Sequence, residues 1–92
     1  MTNMTKLKTA ELRKAIDRLD SRLTGLIQKR IELAVKIGRL KKENGKPIED
    51  RKREKQVLRN WESRAVKHGL DKRMVKKIAR LLVGAAKTKE QS

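Results

Sequence analysis

Leu12, Ile16, Leu19, Leu23, Leu26, Leu33, Ile37 and Leu40 lie on one line at alternating steps of four and three, with Arg30 filling the one polar position of the series. That spacing is the seam of a coiled coil, sustained here over about four heptads. Together with the absence of proline before Pro47, it predicts a helix over about 9–43. At a rise of about 1.5 Å per residue such a helix is roughly 52 Å long. A compact chain of this size has a radius of gyration of only about 12 Å. The helix therefore overhangs any compact monomer, and its apolar stripe needs a second chain. The expectation is a homodimer in which the long helices of two protomers pack together.

The rest of the chain reads as two shorter helices. Glu43-Asn44-Gly45-Lys46-Pro47 is the strongest break, and His68-Gly69 is a second, with glycine suited to the position just past a helix end. Helices are predicted over about 50–67 and 72–89, with Asp50 and Asp71 as N-caps. The second helix would bury Val57, Leu58, Trp61 and Ala65. The third would bury Val75, Ile78, Leu82 and Ala85 or Ala86. Lys, Arg, Leu, Ala and Glu dominate and β-branched residues are few, which favours helix throughout. The expected fold class is all-α: a three-helix protomer, residues 1–92 as one domain, forming a homodimer.

Composition narrows the chemistry. There is no cysteine and only one histidine, which excludes disulfides, thiolate metal sites and a histidine zinc cluster, and argues against a catalytic triad. No run of 18 apolar residues and no signal-peptide core is present, so a cytoplasmic protein without a membrane span is expected. Lys and Arg number 27 against 11 Asp and Glu, a net charge of +16. The excess is +7 over residues 1–44, +4 over 45–68 and +5 over 69–92, so it is not a basic tail on a neutral body. Such a balance points to an anionic partner: nucleic acid, a membrane surface or a small acidic metabolite.

Polar residues on apolar faces favour the metabolite. Arg30 sits in the stripe, where an unpaired charge is costly to bury and calls for an anion. Lys41 lies 11 residues on, about 20° off the same line and some 16 Å along the axis. The two cationic arms can converge over Ala34 and Ile37. On the second helix Glu54 shares the face of Val57, Leu58 and Trp61, with Asp50 one turn before it and Arg53 beside it. Capping explains Asp50 but not Glu54. Together these residues describe a cationic pocket with one or two acceptors inside a helical bundle. Arg13 lies 17 residues before Arg30, roughly 25 Å away along the helix. It cannot join that pocket in its own chain, but it can reach the pocket of an antiparallel partner.

A basic helical nucleic-acid-binding protein is the main rival. The charge suits it, but there is no glycine-led recognition-helix turn, no aromatic stacking set and no basic arm, and Glu54 stays unexplained. A non-catalytic helical adaptor is another.

The residues resemble the all-helical (AroQ-class) chorismate mutases over about 10–90. The resemblance is carried by Leu12 to Asp20 (LRKAIDRLD), Arg30 to Gly38 (RIELAVKIG), Lys41, Pro47-Ile48-Glu49-Asp50, Arg53-Glu54 and His68-Gly69-Leu70-Asp71, in that order and spacing. It implies an intertwined dimer of three-helix protomers with two sites built from both chains. It further implies that Arg13, from the partner, and Arg30 bind substrate carboxylates. Lys41 contacts a carboxylate and the ether oxygen, Asp50 and Glu54 address the hydroxyl, and Arg53 supports the cluster. The implied reaction is the intramolecular Claisen rearrangement of chorismate to prephenate on the route to Phe and Tyr. It needs no nucleophile, metal or cofactor. Catalysis comes from holding the folded conformer and stabilising charge on the breaking C–O bond. No nucleic-acid or membrane partner is expected. The sister activity, an isochorismate pyruvate lyase, tends to lack the acidic pair that Asp50 and Glu54 provide. Two departures stand out. Ala86 occupies a position where relatives often carry a serine that contacts a carboxylate. The position often held by a glutamine facing the ether oxygen aligns with Glu90, or with Gln91 after a slip of one residue. Glutamate there must be protonated to donate a hydrogen bond.

Overall fold

The computed structural model describes residues 2–91, and side chains for residues 8–90. Among them the chain forms three helices, α1 (Thr2–Glu43), α2 (Arg51–His68) and α3 (Lys72–Gln91). α1 begins earlier than the apolar stripe suggested, because nothing in the sequence before Thr9 breaks a helix. α3 likewise runs two residues further than 89.

The helix ends follow from a few residues. Gly45 and Gly69 both take left-handed conformations, φ 70° and 66°, which only glycine adopts without strain. At the end of α1, Lys46 N donates to Lys41 O at 2.7 Å and Gly45 N to Lys42 O at 3.1 Å. At the end of α2, Leu70 N donates to Ala65 O at 2.8 Å and Gly69 N to Val66 O at 3.2 Å. Both are the paired closure of a Schellman motif, which satisfies the orphan carbonyls of a last turn. Asp50 caps α2 by accepting from Arg53 N at 3.0 Å. Asp71 caps α3 by accepting from Arg73 N at 2.8 Å and Met74 N at 3.2 Å.

α3 is the central element. It packs against α1 on one side and α2 on the other, whereas α1 and α2 do not pack on each other. Its buried line is Val75, Ala79, Leu82 and Ala86, at steps of four, three and four. The expected inner-face residue Ile78 is 39% exposed, and its neighbour Ala79 is fully buried instead. Ala85 is exposed and Ala86 buried. A helix clasped from two sides needs small residues where both neighbours approach, and alanine fills that place better than isoleucine.

α1 meets α3 along a line that differs from its heptad stripe. Val35 and Gly38 are buried, and Ile27 and Ile31 are half-buried on the same side. The stripe itself is open: Leu12, Ile16, Leu19, Leu23, Leu26 and Leu40 are each between 54% and 65% exposed. The chain measures 65 × 26 × 15 Å, with a radius of gyration of 18.0 Å. That is well above the roughly 12 Å of a compact chain of this length. An apolar seam of this size far exceeds what a lone soluble protomer normally leaves in water.

Candidate active site

Because α1 and α2 pack closely on α3 but not on each other, a cleft is left between them with α3 as its floor. The resulting cavity has a volume of about 290 Å³. Arg30 and Lys41 line it from α1, Asp50, Arg53 and Glu54 from the start of α2, and Lys87 and Glu90 from α3, among apolar side chains such as Ile37, Val57 and Val83. Every residue predicted for the pocket is therefore there except Arg13. Arg13 is exposed on the overhanging part of α1 and lies outside the cavity of its own chain.

Arg30 is half-buried on the α1 wall. Its guanidinium carbon stands 6.0 Å from the centroid of the Trp61 ring, so α2 supplies it with a cation–π contact. Among the described residues no carboxylate pairs with it. Burial, and secondarily the charges of Arg53 and Arg64, lower its pKa. A partly desolvated guanidinium repelled by two other cations favours an incoming anion.

At the other end, Lys41 Nζ lies 3.6 Å from Asp50 Oδ2. The Asp50 carboxyl is held below its ordinary range chiefly by the hydrogen bond from Arg53 N, with the Lys41 charge adding to the effect. Asp50 is thus both helix cap and cavity wall. The Arg53 guanidinium turns along α2 and donates to Gln56 Oε1 at 2.7 Å.

Glu54 explains its own place on an apolar face. It forms an ion pair with Lys87, which also reaches Glu49 Oε1 at 3.3 Å. The hydrogen bond to Glu54, more than that to Glu49, raises the pKa of Lys87. Lys87 was not anticipated from the sequence. A signal was available: it lies one turn after Val83 and one turn before Glu90, and Glu54 was an acid in search of a base. α2 and α3 are thereby joined at the cavity edge by a bridge of opposite charges.

Glu90 is half-buried in the last turns of α3. Burial raises its pKa, opposed by the nearby charges of Lys41 and Lys87. It forms no hydrogen bond or ion pair among the described residues. The raised pKa widens the pH range over which the carboxyl is protonated and able to donate a hydrogen bond. The side chain of Gln91, the alternative for this position, lies outside the described residues. Ala86 stands buried in the cavity wall without a hydroxyl to offer.

A cavity lined by guanidinium and ammonium groups at separated points and by carboxyl groups suits a small dianion that also carries a hydroxyl. No helix among the described residues is long and apolar enough to cross a membrane.

Comparison with known proteins agrees with this chemistry. The sequence model of the family described as chorismate mutase type II matches residues 12–91. A chorismate mutase of Methanocaldococcus jannaschii is 34% identical over 76 residues, covering 83% of this chain and 77% of that protein. A 3-dehydroquinate dehydratase of Pyrobaculum aerophilum is 52% identical over 48 residues, covering 52% of this chain but only 16% of that protein. Among solved structures, a conserved hypothetical protein from Pyrococcus furiosus superposes with a TM-score of 0.67 at 39% identity, over 86% of this chain and 90% of that one. The helical architecture, the cavity chemistry and a match spanning nearly the whole sequence converge: this chain belongs to the type II chorismate mutase family, isomerases that convert chorismate to prephenate on the way to the aromatic amino acids.

Proposed function

We propose that chorismate binds in the cavity between α1 and α2, and that Arg30, Lys41 and Glu90 act directly on its carboxylates and ether oxygen. The observation that carries this reading is Arg30: half-buried and without a carboxylate partner among the described residues, it faces a cavity whose far end holds Lys41 and Glu90. Arg30 would anchor one carboxylate. Lys41 would reach the other carboxylate and the ether oxygen. Asp50 and Glu54 would accept from the substrate hydroxyl, with Arg53 keeping the acidic wall in place. Fixing both carboxylates and the hydroxyl selects the folded conformer in which the new C–C bond forms as the C–O bond breaks. Donors aimed at the ether oxygen then stabilise the charge that grows there.

The reading includes a homodimer, in which the exposed seam of α1 is covered by a second copy and Arg13 enters the partner's cavity. It treats residues 1–92 as one catalytic unit, working in the cytoplasm without nucleic acid or membrane. Sedimentation equilibrium should give about twice the 10.7 kDa chain mass. A well-folded monomer at micromolar concentration would exclude the shared site.

The test of the chemistry is the pH dependence of kcat/KM, followed by loss of chorismate absorbance, with prephenate identified as product. Burial raises the pKa of Glu90, and only the protonated carboxyl donates. Activity should therefore be greatest below that pKa and fall as pH rises through it. Glu90→Gln supplies a donor at every pH and should flatten the profile. A pH-independent parent, or a Glu90→Gln variant that keeps the parent's slope, would remove Glu90 from the ether oxygen. Pyruvate in place of prephenate would move the chain to the lyase activity.

A further inference from the structure

Gly38 is buried on the α3-facing side of α1, one turn before Lys41 and two turns after Arg30. Its backbone is helical, with no positive φ, so conformation does not call for glycine there. Within a helix, glycine is less favourable than alanine. Space gives the reason. A Cβ placed at Gly38 would stand 2.6 Å from Glu90 Cγ and 2.8 Å from Glu90 Oε2, and closer still to Glu90 Cδ. All three nearest atoms belong to the Glu90 side chain and none to backbone. Gly25 and Gly84, also helical, have nothing within 4 Å of the same hypothetical atom. Of these three, only Gly38 makes room for another side chain.

We propose that Gly38 is a positioning residue: the space left by its missing side chain is the seat that holds the Glu90 carboxyl inside the cavity. The proposal rests on the reading that Glu90 faces the ether oxygen. Around that seat stand Lys41 from α1, Lys87 from α3, and Asp50, Arg53 and Glu54 across the cavity from α2. Adding one methyl at Gly38 need not part the helices, because what it meets is the end of a flexible chain. The carboxyl swings out of the seat instead, into water at the end of α3, where it becomes an ordinary ionised glutamate. A residue 52 positions away in sequence, counted from 38 to 90, thus decides whether the acid is available as a donor.

Gly38→Ala tests this, with Gly84→Ala as a comparison that adds the same methyl to an open helix surface. Gly38→Ala should keep helix content and oligomeric mass. It should lose about 10²-fold in kcat, the cost of one donor to the developing charge, and it should lose the parent's fall of activity with pH. In a Glu90→Ala background the same change should cost nothing more. Carbon-13 NMR of the glutamate carboxyls supplies a readout independent of turnover: Glu90 should titrate at a higher pH in the parent than in Gly38→Ala. Unchanged titration between the two, or an equal activity loss in the Glu90→Ala background, overturns the seat. If the NMR shift moves as expected while Glu90→Ala turns over like the parent, the seat stands and the catalytic assignment of Glu90 fails.

Discussion

Lys41→Ala is expected to lower kcat by about 10²–10³-fold, the effect of removing a preorganised donor from an oxyanion-type site, while leaving the fold intact. The structure separates the two consequences. Lys41 lies in the last turn of α1 with its side chain 26% exposed, and its partner Asp50 is 46% exposed, so the change leaves no buried charge unpaired. Asp50 retains the hydrogen bond from Arg53 N that caps α2. Helix content and sedimentation should match the parent. A second effect has a definite sign. The Lys41 charge lowers the pKa of Glu90, so its removal should raise that pKa. The residual activity should then fall at a higher pH than in the parent. Near-normal turnover would take Lys41 out of the mechanism.

Mixing two damaged chains should restore activity that neither has alone. Arg13→Ala and Arg30→Ala each remove a charged hydrogen-bonding partner of a carboxylate, which costs about 10- to 100-fold. If Arg13 serves the partner's cavity, a heterodimer collects both lesions in one site and leaves the other whole. Random reassortment after joint unfolding and refolding should return about one quarter of parental activity, since half the dimers are mixed and each has one intact site of two. The length of α1 motivates this outcome. Its 42 residues carry Arg13 far beyond the bundle, and the exposed seam alongside it gives a second chain a surface to follow. No recovery on mixing would mean that Arg13 does not act in trans.

Much of the cavity was legible because its residues broke a local pattern. Arg30 interrupts a line of leucines, and Glu54 shares a face with Val57 and Trp61. A charge on an apolar face must answer to something, and the sequence shows the anomaly without showing the answer. For Glu54 the answer was Lys87, on a different helix, and no spacing within α2 could supply it. The helix stops were equally legible, since Asp50, Asp71 and Gly69 act on their immediate neighbours. The inner face of α3 was read one residue off at Ile78, because periodicity locates an apolar arc but not how closely two neighbours squeeze it. Ala79, beside Ile78, is the residue that is fully buried. The α1 line of Val35 and Gly38 was overshadowed by the stronger leucine stripe. Gly38 itself carries no local signal, since its function depends on a side chain from the far end of the chain.

The lack of direct packing between α1 and α2 has a thermodynamic consequence. Each wall of the cavity is fastened to α3, and little beyond the Arg30–Trp61 contact and the Lys41–Asp50 pair spans the opening. In the proposed binding mode a dianion grips Arg30 and Lys41 on one wall while its hydroxyl engages Asp50 and Glu54 on the other. The small molecule then acts as a strut between two helices that the polypeptide leaves apart. Occupancy at 100 times Kd adds about 2.7 kcal/mol to the folded state, a large share of the 5–15 kcal/mol typical of a whole domain. The metabolite consumed by the enzyme would also brace it, so that a well-supplied cell carries a sturdier population of this protein than a starved one.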